Sequence, residues 1–388
     1  MISATRTRAS NRRSTMALAH CSVSPSSPTV VVAGGGIVGV STVFFLAAEQ
    51  TNLRPVVIDA TSVAASASGK AGGFLAESWS DGSATEELAR KGFALHQSWS
   101  ETDTFGDVDY RFNIDAESGL LGSSERRYIG STRRACGQVH PRKLTTRLAE
   151  QVVAMGGEVR AQTMLVGVVL EDDVEQGDRK RVVGVRVRKT DDEEAAEETI
   201  ATTKVVLALG AWTSVTLKTA CSAAYAAVGP EVAGHKVHSL VVADTREEGL
   251  DGPESTSLFL RDMLVSRGAD PEAYPRPDGT IYVCGNQAGA VYDETPPRLA
   301  SEVGVEEDGA AGYLRQVSAV LVGGEAEDVD VVEAQACYLP TSSSNRPLIS
   351  AVPNIDGLYV NAGHSCWGIL QGPISGKAIA ELVATGVY

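Results

Sequence analysis

The segment from Thr29 to Asp59 constrains this chain most. It holds a β-branched run (Val30, Val31, Val32), the turn Gly34-Gly35-Gly36-Ile37-Val38-Gly39, an apolar helix, a second run (Val56, Val57, Ile58) and a terminal acid, Asp59. That succession is a dinucleotide-binding βαβ unit. Gly34 permits the tight turn, Gly36 lets backbone approach a pyrophosphate, and Gly39 lets helix and strand pack closely. The helix presents free amides to phosphate, and Asp59, about twenty residues past the last glycine, is placed for ribose hydroxyls. An acid rather than an arginine at that strand end favours an unphosphorylated ribose, so FAD or NAD ranks before NADP.

The 388 residues are enough for two domains of ordinary size. With 34 Lys and Arg against 49 Asp and Glu, the net charge of -15 repels phosphate backbones and excludes nucleic acid as a partner. Cys21, Cys136, Cys221, Cys284, Cys337 and Cys366 are scattered without a CxxC pair. That usage argues for a reducing compartment and against a structural zinc, and no metal-ligand cluster stands out. No apolar run is long enough to cross a bilayer, so a soluble, cytoplasmic protein is expected. Residues 1–28 carry Arg6, Arg8, Arg12 and Arg13 among serines with no acid. They read either as a transit segment to a mitochondrion or plastid or as a disordered tail.

Beyond Asp59, the Ser-, Ala- and Gly-rich stretch from Ser62 to Leu75 reads as a loop lying over the nucleotide. Helical spacing covers Thr85 to Trp99, and again the stretch from Pro141 to the Gly156-Gly157 stop. Strands are expected at 158–170, 182–188 and 205–210, the last closing at Ala208-Leu209-Gly210-Ala211-Trp212, with a solvated acidic loop at 191–198. The stretch from Val237 to Leu339, with strand-like runs at 238–243 and 280–284, forms a separate sheet. A final strand at 357–361 leads through Gly363-His364-Ser365-Cys366-Trp367-Gly368-Ile369 to a helix from about Pro373 to Ala384, with the proline at the helix start. The expected fold is α/β plus α+β: a discontinuous Rossmann-like FAD-binding domain (29–80, 136–222 and 340–388) with an inserted mixed or antiparallel-sheet substrate domain (81–135 and 223–339).

This arrangement resembles the FAD-dependent oxidoreductases of the D-amino-acid-oxidase-like superfamily, which includes glycine oxidase and sarcosine oxidase. The likeness rests on Gly34 to Gly39 with Asp59, on Ser68-Gly69-Lys70-Ala71-Gly72-Gly73-Phe74-Leu75, on Ala208 to Trp212 and on Gly363 to Ile369. Pro271 to Gly279 and Cys337 to Pro340 resemble a eukaryotic branch whose substrates are poorly defined. The resemblance implies FAD, with Ser68, Gly69, Lys70, Gly72, Gly73 and Phe74 along the flavin and Leu165 offering backbone to the adenine. Ala208, Gly210 and Trp212 face the cofactor, while Gly363, His364, Trp367, Gly368 and Ile369 border the ring. It further implies hydride transfer from a small amine-type substrate, with oxygen or an electron carrier as acceptor. His364 and Lys70 are the catalytic candidates, the first for its pKa range and the second for its charge near the ring; a structural His364 bonding backbone at the strand end, and a Lys70 that pairs with phosphate or lies on the surface, are the competing readings.

The pattern also breaks. Where amino-acid oxidases of this superfamily clamp a substrate carboxylate with two arginines, this chain has Leu339 and Cys366; Arg276 and Arg346 are the available substitutes. Cys337 falls where sarcosine oxidase carries its flavin-bonded cysteine, and a buried small hydrophobe is the competing reading. The missing clamp motivates an alternative function, a flavin-binding protein with a partner-binding role and weak or lost catalysis. An NAD-dependent dehydrogenase is disfavoured by Gly363 to Ile369.

Overall fold

The computed structural model describes residues 29–49, 52–121, 126–133, 136–173, 178–192, 194–245, 256–262, 268–286 and 295–386; the leader at 1–28 lies outside them. Thr29–Ala33 is central in a six-stranded sheet ordered Leu348–Ala351, Leu358–Ala362, Lys204–Leu207, Thr29–Ala33, Arg54–Ile58, Glu158–Arg160. Neighbours are parallel except for the first pair. The β-branched runs follow from burial on both faces. Alternation sends Val30, Val32 and Val206 toward the helices Ile37–Ala48, Pro141–Ala154 and Gly368–Thr385. Val31, Val205 and Leu207 pack instead against a second layer, the four-stranded sheet containing Thr163–Asp172 and Lys180–Lys189 together with the helix Thr213–Ala220.

From Thr29–Ala33 the chain builds outward through Arg54–Ile58 and Glu158–Arg160, then crosses to the other side at Lys204–Leu207. The crevice at that reversal is where an open α/β sheet binds its ligand. Gly34 sits in it at φ +116°, and a Cβ there would lie 2.1 Å from the Ala208 carbonyl oxygen. Only glycine closes this turn.

The second large sheet has seven strands, ordered Val331–Ser342, Val232–Ala243, Thr280–Cys284, Glu272–Pro275, Thr256–Asp262, Asp115–Leu121, Arg126–Arg133. All neighbours are antiparallel except Thr256–Asp262 with Asp115–Leu121. Its two faces differ in chemistry. Leu240, Val242, Leu258, Ala273, Ile281 and Val283 pack with Leu314 and Val317 of the helix Gly312–Val322. The alternate positions Phe259, Glu272, Tyr274, Tyr282 and Cys284 line a cavity.

Three sequence expectations change. The stretch 62–75 is not all loop: Ala67–Lys70 makes one helical turn, and Phe74–Ala76 is a strand paired with Cys136–Gln138. Tertiary context holds the turn, since Ser68 Oγ accepts the Ile37 amide at 2.8 Å. The strand expected at 205–210 ends at Leu207 and passes into the turn Gly210–Trp212, Gly210 having φ +54°.

The last helix begins at Gly368, which places Pro373 inside it rather than at its start. A proline there cannot donate to the carbonyl four residues back, Ile369. The missing donor comes from outside the helix: His96 Nε2 lies 2.9 Å from that oxygen, and Nδ1 lies 2.9 Å from the Tyr110 hydroxyl. His96 projects from the helix Glu86–Ser100 on the buried face it shares with Ala89, Gly92 and Phe93. At Gly92 a Cβ would sit 2.3 Å from the Leu370 oxygen, so glycine permits the close helix approach that brings His96 within reach. Among the described residues no helix is long and apolar enough to cross a membrane.

Candidate functional site

A cavity of ≈ 440 Å³ opens at the strand reversal and runs to the seven-stranded sheet. It collects residues from distant parts of the chain: Gly34, Gly36, Ile37, Val38 and Asp59; Ser68, Lys70, Gly72, Gly73 and Phe74; Leu165; Ala208, Gly210 and Trp212; His364, Trp367, Gly368 and Ile369. Gly39, Gly69 and Gly363 are not on its surface. Gly39 has a packing role, a Cβ there falling 2.0 Å from the Gly34 oxygen.

Asp59 organises the nucleotide end. Its Oδ2 accepts the Gly35 amide at 2.7 Å, and its Oδ1 accepts the Thr61 amide at 2.7 Å and the Thr61 hydroxyl at 2.9 Å. The acid thus ties the glycine turn to the end of the second strand, and its carboxylate retains lone pairs for a ligand. Ser68 takes the first amide of the helix Ile37–Ala48 and keeps its own hydroxyl hydrogen for donation. Ser66 Oγ, Asn286 Oδ1 and both amide atoms of Asn361 are buried without a protein partner, and all three residues line the cavity. Buried polar groups left unpaired cost about 1–3 kcal/mol each. They fit a long polar ligand such as a flavin dinucleotide.

The catalytic candidates are both held by protein bonds. Lys70 Nζ donates to the Ala336 carbonyl at 2.9 Å, and burial lowers its pKa from 10.5 against the opposing influence of Cys337 and Glu333. His364 is buried, with Nε2 2.9 Å from Ser375 Oγ, which itself donates to the Gly372 carbonyl at 3.0 Å. That pattern makes Nε2 the donor to Ser375. Burial holds the His364 pKa at about 4, so the ring is neutral at pH 7. The adjoining Ser365 has φ +52°, a left-handed conformation for a non-glycine residue on the cavity wall.

Leu339 and Cys366, at the clamp positions, both line the cavity. The substitutes do not: Arg276 is buried with Nη2 3.4 Å from the Ala71 carbonyl and its guanidinium 5.2 Å from the Tyr282 ring centre, while Arg346 is exposed elsewhere. Arg298, which sequence reasoning passed over, lines the cavity beside Pro297, whose carbonyl accepts Trp212 Nε1 at 2.7 Å. Also missed were Trp79, Phe259, Glu272, Tyr274 and Tyr282. Their available signal was alternation: Glu272 and Tyr274 flank Ala273, and Tyr282 and Cys284 flank Val283, which is the pattern of a strand with one aliphatic and one polar-aromatic face.

An oxidoreductase, provisionally so named, of Schizosaccharomyces pombe is 29% identical over 399 residues, covering 93% of this chain and 95% of the relative. Glycine oxidase of Pseudomonas putida is 26% identical over 392 residues, covering 92% of this chain and 94% of that protein. The crystal structure of glycine oxidase from Bacillus cereus superposes with a TM-score of 0.70 at 18% identity, covering 93% of this chain and 96% of that one. Residues 29–121 and 114–382 match the DAO family, described as FAD dependent oxidoreductase. With nearly all of its described length inside that match and a cavity whose orphaned polar groups suit the cofactor, this chain belongs to the DAO family of FAD-dependent oxidoreductases.

Proposed function

We propose that this chain oxidises a C–N bond of a small amine-type substrate, with oxygen or an electron carrier as the final acceptor. The observation that carries this reading is the continuity of one cavity from the Gly34 turn to the segment His364–Ile369. Bound FAD supplies the hydride acceptor. The chain's own contributions are positional and electrostatic. Asp59 holds ribose hydroxyls while its bonds to Gly35 and Thr61 keep the turn closed. The helix start at Ile37 and the Ser68 hydroxyl face the pyrophosphate, and Leu165 offers backbone to the adenine. At the other end, the helix Gly368–Thr385 brings its positive end to the wall formed by Trp367, Gly368 and Ile369. That partial charge favours negative charge developing on a ring held there.

His364 acts here as a positioning residue: neutral and tied to Ser375, it fixes the strand end against the helix that follows. Lys70, anchored on Ala336, places a cation beside Cys337. The amine class follows from likeness to the glycine oxidases, an analogy of family rather than of site. The test is to mix the purified yellow protein, under anaerobic conditions, with a panel of primary and secondary amines and amino acids. Bleaching of the flavin absorbance by at least one is expected, and none across the panel overturns the reading. Hydrogen peroxide on readmitting air separates oxygen from a carrier as acceptor.

A further inference from the structure

The cavity wall on the seven-stranded sheet has its own chemistry. Five aromatic side chains converge there: Phe74 lies 5.0 Å from Trp79 and 5.7 Å from Tyr274, and Trp79 lies 4.7 Å from Phe259 and 6.3 Å from Trp367, measured between ring centres. All five line the cavity. Trp79 is 40% exposed, an unusual exposure for the largest apolar side chain and one suited to a cavity rim. Among these rings stands a carboxylate, Glu272. The Tyr274 hydroxyl and the Cys284 thiol both donate to its Oε2, which leaves Oε1 for a ligand. Asp270 lines the same region. Burial, with Asp270 repulsion as a smaller cause, raises the Glu272 pKa, and Glu272 in turn adds to the rise at Cys366.

Ring faces carry negative quadrupole potential, and among the described residues no Lys or Arg is bonded to the Glu272 carboxylate: of the basic side chains on the cavity, Lys70 is tied to the Ala336 carbonyl, and Arg298 lies beside Pro297, next to Trp212. Such a wall repels a carboxylate ligand and attracts a substituted ammonium. The clamp positions agree, since Leu339 and Cys366 offer no positive charge. We infer that the substrate is a cationic amine without a carboxylate, its ammonium paired with Glu272 Oε1 and its N-alkyl groups packed on Trp79, Phe259 and Tyr274. This rests on reading the cavity as the substrate site of an amine-oxidising flavoprotein, and it narrows the substrate class within that reading.

The experiment titrates the FAD-loaded protein with benzyltrimethylammonium, a cation with no N–H, and in parallel with benzoate as the anionic counterpart. Tryptophan fluorescence and calorimetry report binding without any turnover. The cation is expected to bind at least tenfold more tightly than benzoate. Glu272→Gln should weaken cation binding tenfold or more, and Trp79→Ala about fivefold, with benzoate unaffected by Trp79→Ala. Benzoate binding as tightly as the cation, no measurable cation binding, or an unchanged affinity in Glu272→Gln overturns the inference. If Glu272→Gln does not retain its fold, Trp79→Ala and Phe259→Leu decide the matter, because unchanged cation affinity in both is equally fatal. Cation binding with these dependences but no bleaching by any amine keeps the recognition and removes the oxidation; bleaching by amino acids with no cation binding does the reverse.

Discussion

The two ends of the cavity are built by different means. At the strand reversal the wall is mostly backbone: the turn at Gly34, the helix start at Ile37, whose amide Ser68 Oγ accepts, and one side chain, Asp59, whose bonds are to main-chain donors of Gly35 and Thr61 as well as the Thr61 hydroxyl. At the seven-stranded sheet the wall is side chains from four separate strands, a loop and the turn Ser365–Trp367, with Glu272 and its ring neighbours at the centre. Backbone recognition demands glycine at fixed spacing over a few residues, and therefore leaves a local signature. Side-chain recognition across strands needs only that alternate positions face the same way. Its members lie as far apart in the chain as Phe74 and Trp367.

The sharpest way to break the backbone end is Gly34→Ala. The added methyl meets the Ala208 carbonyl at 2.1 Å, in backbone at φ +116°. Strain plus forced displacement together cost about 4 kcal/mol. Denaturant titration should show that loss, and the purified variant should retain little flavin. Gly82→Ala is the contrast: φ is +78° there as well, but nothing lies within 4 Å of the added carbon, so only the local strain of about 1 kcal/mol applies. Equal losses in the two variants would mean that the contact with Ala208 does not matter.

That difference also explains what was legible beforehand. The parallel sheet, the glycine turn, Asp59 and the strand Thr280–Cys284 were readable because each is written in adjacent residues. Pro373 was misread for the opposite reason. A proline near a helix start is the locally economical placement, and the donor that lets it sit six residues in comes from His96, 277 positions earlier. Glu272 was passed over because a single acid in a short strand looks like any surface acid until its neighbours across the sheet are known.

The His96 contact offers the next test. His96→Leu leaves the Ile369 carbonyl and the Tyr110 hydroxyl buried without partners, a loss of about 3 kcal/mol. Pro373→Ala restores an amide that can reach the same carbonyl. It should therefore be more favourable in the His96→Leu background than in the wild type, by about 1 kcal/mol in a double-mutant cycle read by denaturant unfolding. Additive effects would show that the histidine does not serve the proline.

The pH dependence of stability separates the helix supports from the catalytic candidates. His364 has a folded pKa of about 4, below the 6.5 of the unfolded chain, so between those values the unfolded chain binds the extra proton. Its contribution to stability is complete above pH 6.5 and is lost as the pH falls toward 4, at about 1.4 kcal/mol per pH unit. His364→Gln should flatten the slope of unfolding free energy against pH by that amount across the window. His96, with the same folded value, keeps its own share of the slope. A pH dependence unchanged by His364→Gln would mean that the ring is accessible to protons in the folded state, and would return it to the list of acid-base candidates.

The smallest expected effect is none, at Cys337. Thiolate, not thiol, is the nucleophile. Burial pushes this thiol up to about 11, with Lys70 working in the opposite direction without reversing it. Roughly one molecule in a thousand or fewer carries the thiolate near neutral pH. Trichloroacetic acid precipitation should therefore release all the flavin to the supernatant, and Cys337→Ala should bind as much flavin as the wild type. A yellow pellet that turns white in Cys337→Ala would show a covalent link. It would also move Lys70 from an anchored neighbour to the group that lowers the thiol pKa while flavin is bound, because that ammonium is the cation acting on Cys337 in the buried wall.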